Sequence, residues 1–185
     1  FERINDFGAL YKKVFDELNI DSRIIRVSDF GCGLNPLGII FFPKKSLENG
    51  VEYFAQDINT EESDVVEKYF SVIAKKNKKI RAVSCAFDLL DENKLDVYLS
   101  TNNNFDVCFL FKVIDALERV KKNYSMVLLS KIKAKLIVAS FATATITGEP
   151  MRRKKPLWFI KNMEKLGYKI SEYTTANEVY FFMKK

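Results

Sequence analysis

Apolar residues in this chain fall into two rhythms that take turns: stripes at helical spacing and short, nearly continuous runs. Phe7, Leu10, Tyr11, Val14, Phe15 and Leu18 recur every three to four positions, which predicts a helix over residues 5–18. Residues 24–30 form an apolar run and a first strand. Residues 36–42 form a short helical turn, stopped by Pro43. Residues 53–57 form a second strand that ends in an acid. Residues 64–76 form a helix with Val65, Val66, Phe70, Val72 and Ile73 available to a core. A third strand covers residues 80–87. Residues 105–111 are apolar almost throughout, as expected of a parallel strand buried on both faces. A helical segment over residues 113–130 is interrupted near Asn123, and a fifth strand covers 136–141. A helix over 155–166 ends before Gly167. The last two strands, 168–173 and 178–183, have Ala176-Asn177 at their turn and predict an antiparallel hairpin.

Strands alternating with helices define an α/β, doubly wound sheet. Five such units capped by a hairpin predict a seven-stranded Rossmann-like sheet with helices on both faces. Residues 1–22 read as an N-terminal helical segment and residues 23–185 as the sheet domain. At 185 residues the chain is long enough to bury a sizeable core. It shows no internal repeat, low-complexity tract or linker.

Composition narrows the chemistry. There is no histidine, which excludes Ser-His-Asp and Cys-His hydrolases. Cys32, Cys85 and Cys108 are widely spaced, form no Cys-x-x-Cys pair and sit in or beside apolar stretches. They predict buried free thiols in a reducing cytoplasm, with neither a disulfide framework nor a zinc site. No apolar run approaches the length that spans a bilayer, and no secretory signal pattern is present, so no membrane or metal is expected. The net charge of +6 favours polyanionic partners without proving one.

In doubly wound sheets ligands bind beyond the carboxyl ends of the strands, where the winding reverses. The candidate residues sit there. Asp29-Phe30-Gly31-Cys32-Gly33-Leu34-Asn35-Pro36 follows the first strand. Gly31 and Gly33 remove side chains where the chain must turn tightly and approach a ligand. Asn35 is placed to cap the next helix and Pro36 to open it. The dinucleotide fingerprint would need glycine at Pro36 and is absent. Asp57 closes the second strand 24 residues after Gly33, where a carboxylate can accept both hydroxyls of a ribose. Asp88-Leu89 follows the third strand and offers an acid for an adenine amino group and an apolar face for its ring. Phe111-Lys112 follows the fourth; Lys112 either faces a substrate or pairs with Asp115 or Glu118.

The Asp-x-Gly-x-Gly turn resembles the first motif of S-adenosylmethionine-dependent methyltransferases. Gly31-Cys32-Gly33-Leu34-Asn35-Pro36-Leu37 is similar, more narrowly, to the Gly-Leu-Asn-Pro loop of the aminoglycoside-resistance 16S ribosomal RNA methyltransferases, which methylate a guanine at N7 in the decoding region. The series continues in order along nearly the whole chain. Glu2-Arg3-Ile4 with Tyr11 and Phe15 resembles that family's N-terminal helix. Tyr53-Phe54-Ala55-Gln56-Asp57-Ile58 resembles its second-strand motif. Leu110-Phe111-Lys112-Val113 with Leu117-Glu118 resembles its stretch after strand four. Ser140-Phe141-Ala142-Thr143 followed by Gly148 is similar to its Ser-Phe-Pro-Thr loop after strand five. The resemblance implies the class I methyltransferase fold with S-adenosyl-L-methionine as cofactor. It would be held by Asp29, Gly31, Cys32, Gly33, Asn35, Pro36, Asp57, Ile58, Asp88, Leu89 and Phe111, with Arg3 on the methionine carboxylate. It also implies an RNA partner, the small ribosomal subunit, met by Lys112, Thr143, Arg152 and Arg153. Two departures stand out. Family members carry a long N-terminal helical region that docks on the subunit, whereas about two dozen residues precede the first strand here. Ala142 and Ala144 stand where the family tends to have proline and a basic residue.

Guanine N7 offers an exposed lone pair, so attack there needs no base, and none is assigned. The basic clusters Lys75–Arg81 and Lys131–Lys135 precede strands and belong to the amino edge of the sheet, as solvated surface. The run Arg152-Arg153-Lys154-Lys155 follows strand five on the ligand-binding edge, near Thr143, Thr145, Thr147, Pro156 and Trp158. A basic loop with an aromatic neighbour suits phosphates and a splayed base; Trp158 fits that loop or the core equally. Two other functions are compatible with these residues. A small-molecule or protein methyltransferase would be favoured by a long insertion over the site. A non-catalytic partner subunit would fail to bind the cofactor.

Overall fold

The computed structural model describes residues 3–19, 23–144 and 156–185. Its first helix, α1 (Phe7–Leu18), turns Phe7, Leu10, Tyr11, Val14 and Phe15 inward and ends at Asn19 in the left-handed conformation. Strand β1 (Ile25–Phe30) leads through the glycine turn into a 3-10 helix, Asn35–Phe41. Then come α2 (Lys44–Asn49), β2 (Val51–Asp57), α3 (Thr60–Lys76) and β3 (Ile80–Ala86). The chain continues through α4 (Glu92–Thr101), β4 (Phe105–Phe111), α5 (Val113–Val120), α6 (Tyr124–Lys131) and β5 (Ala134–Ala142). It closes with α7 (Leu157–Lys165), β6 (Lys169–Thr174) and β7 (Glu178–Lys184).

The seven strands form one sheet in the order β3-β2-β1-β4-β5-β7-β6. Strands β1 to β5 pair in parallel, and β7 runs antiparallel between β5 and β6. The winding reverses between β1 and β4, so the carboxyl ends of these strands open a crevice at that point. Alternation along each strand assigns the faces. Val107, Phe109 and Phe111 of β4, with Tyr180 and Phe182 of β7, pack under α1 and α3. Cys108 and Leu110, with Val179, Phe181 and Met183, pack under α4 to α7. All seven residues of β4 are buried, which is why this strand reads as an apolar run broken only by Asp106. The helix of the N-terminal segment thus shares a core with the sheet.

The expected strands and hairpin are present, and the break near Asn123 is real: Asn123 is left-handed (φ 64°) and separates α5 from α6. Two helices escape the periodicity. Helix α2 is short and polar and buries little beyond Ser46. Helix α4 buries only Leu95 and Leu99, one turn apart, too thin a stripe to register. Its start is nevertheless written in the sequence, since Asp91 accepts a hydrogen bond from Lys94 N (3.1 Å) as its cap. At the amino edge the basic residues find partners: Arg81 pairs with Glu52 (3.7 Å) and Lys135 with Asp106 (3.2 Å). Cys32 and Cys108 are buried free thiols, and Cys85 is free and half-buried. Among the described residues no helix is long and apolar enough to cross a membrane.

Candidate cofactor site

The glycine turn stands on a buried polar base. Asp29, near the end of β1, is wholly enclosed; its Oδ2 accepts from Tyr53 Oη and Asn35 Nδ2, both at 2.7 Å. Asn35 Oδ1 in turn accepts from Tyr11 Oη at 3.4 Å. Asn35 therefore does not cap the following helix as expected. It is that helix's first residue, its side chain points inward, and Leu34 holds the cap position without a side-chain bond. The amide is worth more here because it donates to one oxygen of a buried carboxylate. Pro36, buried beside it, is the helix's second residue, one place later than expected, still within the first turn where its missing N–H costs nothing.

Burial raises the Asp29 carboxyl from its usual 3.8 to about 6, against the pull of Asn35, Tyr53 and Arg3. A carboxyl whose folded value is raised contributes fully only below its unfolded value. That contribution is lost as the pH climbs through the folded value. We expect the stability difference between Asp29→Asn and the native protein to shift by about 2 kcal/mol in the variant's favour between pH 4 and 7. Chemical denaturation of both proteins across that range measures it. A difference independent of pH would show that Asp29 titrates normally.

Above this base, Gly31 (φ +60°) and Gly33 (φ +50°) are both left-handed. A Cβ on Gly31 would lie 2.6 Å from Val113 Cγ2, so the turn and the start of α5 fit only without a side chain there. The backbone is pinned to the end of β2. Cys32 N donates to Gln56 O (3.0 Å), Gly31 N to Gln56 Oε1 (3.3 Å) and Gly33 N to Asp57 Oδ2 (2.6 Å). Gln56 Nε2 reaches onward to Phe87 O. Asp57 Oδ1 accepts from Asn59 N (2.9 Å), and Asn59 caps α3 through Glu61 N and Glu62 N. Each Asp57 oxygen thus takes one backbone donor and keeps lone-pair capacity for a second.

The opposite wall comes from distant segments. Lys112, left-handed at φ 60°, follows β4 and is held by Ser140 through its own N–H, 3.1 Å from Ser140 O. Its ammonium lies 3.0 Å from Glu178 Oε1, so Glu178 takes the place of the expected Asp115 or Glu118; Glu118 instead accepts from Asn123 N (2.7 Å) and Ser125 N (2.9 Å). Arg3 Nε donates to both Glu178 oxygens, at 2.8 and 3.0 Å, and its guanidinium lies 5.1 Å from the centre of the Phe111 ring. Burial opposes ionisation of Glu178, but Arg3 and Lys112 outweigh it and hold the carboxyl below its usual range.

These walls enclose a cleft of about 390 Å³ lined by Arg3, Phe7, the 31–35 turn, Asp57, Glu62, Phe111 and Lys112. Most expected cofactor residues meet here. Asp29 and Pro36 lie beneath the turn. Ile58 is 65% exposed on the rim directly after Asp57. Leu89 is buried in the core under α4 and α5, and Asp88 accepts from Leu90 N (2.9 Å), so this pair does not line the cleft. Thr143 lies at the end of β5, its N–H donating to Asn177 O (2.9 Å). Trp158 is 40% exposed on α7, with its edge against Phe159. Arg152 and Arg153 lie outside the described residues. Phe7, Leu34 and Glu62 were not foreseen. Glu62 carried a signal, since Asn59-Thr60-Glu61-Glu62 is a helix-start pattern directly after an acid-terminated strand.

The strand order and this crevice define the class I S-adenosylmethionine-dependent methyltransferase fold. A protein-family model described as ribosomal RNA methyltransferase (FmrO) matches residues 1–181. The chain belongs to that family. A curated 16S rRNA (guanine(1405)-N(7))-methyltransferase of Proteus mirabilis is 22% identical over 187 residues; the match covers all of this chain and 61% of the relative. The structure of the 16S rRNA methylase ArmA is similar with a TM-score of 0.70 and 25% identity, over 99% of this chain and 84% of that one. The 16S rRNA methyltransferase RmtF, in complex with S-adenosyl-L-homocysteine, shares the fold with a TM-score of 0.67 at 22% identity, over all of this chain and 64% of RmtF.

Proposed function

We propose that this chain transfers a methyl group from S-adenosyl-L-methionine to N7 of a guanine in small-subunit ribosomal RNA. The observation that carries the reading is the cleft itself: a turn with glycine at residues 31 and 33 facing a carboxylate with acceptor capacity to spare, at the point where the winding reverses. Family membership and the relatives' names supply the substrate. The residues fit the cofactor. Gly31 and Gly33 leave the turn bare where it lines the cleft, and a Cβ on Gly33 would stand at the cleft wall, 3.5 Å from Glu62 Oε2. Asp57 accepts from the ribose hydroxyls, Ile58 offers an apolar edge to the base, and Arg3 matches the methionine carboxylate. When bound, the cofactor supplies an electrophilic methyl group on a sulfonium sulfur.

This chain's part is to bind and align. N7 of guanine attacks through a lone pair already free, so no residue needs to take a proton. Holding both reactants in line can supply roughly 7–11 kcal/mol of the barrier. Cys32 lines the cleft as a neutral thiol, because burial and the nearby Asp29 and Asp57 charges push its ionisation far up. Lys112, Thr143, Arg152 and Arg153 form the RNA side of the reading, and a target within a helix must leave its stack at a cost of a few kcal/mol. Action on ribosomes places the protein in the cytoplasm.

Radiolabelled cofactor offered in parallel to small ribosomal subunits, free RNA and a metabolite pool tests the substrate. Label in the subunits, at a guanine, is the expected result. Label in the metabolite pool alone would overturn the RNA assignment. Changing Arg152 and Arg153 together to Ala should weaken RNA binding and lower the slope of log affinity against log salt by about 1.4 to 1.8. An unchanged slope would remove these arginines from the RNA side.

A further inference from the structure

We propose that Glu178 is a positioning residue for the cofactor: it presets the Arg3 guanidinium at the cleft so that a ligand carboxylate finds it already oriented. This rests on the proposed cofactor reading.

Glu178 opens β7 and pairs across the sheet with Ala142 of β5, which fixes its backbone at the carboxyl rim. Its side chain is 2% exposed and that of Arg3 17% exposed, and the two are separated by 175 positions in sequence. Arg3 is a long side chain in a turn just before α1, where its own carbonyl accepts from Asp6 N and Phe7 N. Left alone, such a side chain samples many rotamers and loses that freedom when it grips a ligand. Here Nε is taken by both Glu178 oxygens and the guanidinium plane lies against Phe111. The two contacts come from residues of different strands, Glu178 of β7 and Phe111 of β4. Together they fix the position and tilt of the fork before any ligand arrives. Ordering made during folding is not made again during binding, which is the general source of gain from preorganisation. Phe111, Arg3 and Lys112 line the cleft, whereas Glu178 does not, so Glu178 acts on it through the two cations it pairs with, and on a ligand carboxylate through the fork of Arg3.

The test is Glu178→Gln, which keeps the volume and removes the charge, and it compares two ligands. S-adenosyl-L-homocysteine carries the amino-acid carboxylate; 5′-methylthioadenosine carries the same nucleoside and sulfur without it. Affinities are measured by calorimetry and by competition, with a thermal melt to compare folding. The expected result is about tenfold weaker binding of S-adenosyl-L-homocysteine, the scale of one side chain's lost preorganisation, with 5′-methylthioadenosine unchanged. Arg3→Ala should erase the same preference, and adding Glu178→Gln to it should change nothing further. Equal loss for both ligands would show that Glu178 only supports the fold, and no loss for either would show that Arg3 needs no presetting. Both outcomes overturn the proposal. A native protein that binds neither ligand would overturn the cofactor reading itself, a result distinct from either.

Discussion

Replacing Asp57 with alanine should weaken S-adenosyl-L-homocysteine binding by at least about 100-fold, because two hydrogen bonds to a charged group, each about 1.5–3 kcal/mol, vanish together. The change reaches further than the ligand. Asp57 Oδ2 accepts from Gly33 N at 2.6 Å and Oδ1 from Asn59 N at 2.9 Å, so alanine also releases the glycine turn and the start of α3. Asp57→Asn separates the two effects. The asparagine oxygen still accepts from one of these donors, while the amide cannot take both ribose hydroxyls. A folded Asp57→Asn protein with weakened binding is the expected result, read by calorimetry beside a thermal melt. Affinity within about threefold of native for both variants would place the ribose elsewhere, since that difference is below 1 kcal/mol.

The second large effect concerns stability. Gly31→Ala should cost roughly 2–5 kcal/mol, in two separable parts. Holding an alanine at left-handed φ costs about 1–2 kcal/mol. Forcing its Cβ to within 2.6 Å of Val113 Cγ2 adds the expense of overpacking, about 1–3 kcal/mol. Val113 is β-branched and stiff, so it cannot simply swing aside. Adding Val113→Ala should relieve the second part and leave the first. Gly33→Ala is the internal control: its Cβ would meet only Glu62 Oε2, at 3.5 Å, so strain alone remains. Urea denaturation of the four proteins resolves the pattern. Equal losses at Gly31 and Gly33 would mean that the contact with α5 yields easily.

The sequence carried the sheet well because strands buried on both faces are apolar almost throughout, and residues 105–111, with Asp106 the one exception, declare it. It carried the cleft in part, because glycines at left-handed positions and an acid at a strand end are local features. What it could not carry was pairing across distance. Glu178 looked like the polar start of a last strand, and only the fold brings it beside Arg3 and Lys112. Asn35 was misread for the same reason: a cap is a local use for an asparagine, and the buried Asp29 offered a stronger one. Leu89 has an adenine-facing use in the resemblance and a core-filling use in the fold, and the spacing alone does not choose. The polar helix α2 lay hidden because helices that bury little leave no stripe.

The placement of β7 between β5 and β6 has a bearing on synthesis. As the chain emerges, β6 arrives first and has no neighbour to dock on, since its one partner in the sheet is still unmade. Until β7 slots in, β5 and β6 both present bare strand edges, the kind that invite pairing with other nascent chains. Assembly of this half of the sheet must therefore wait for β7. Premature stops shortly before Glu178 would leave aggregation-prone fragments rather than a smaller working enzyme.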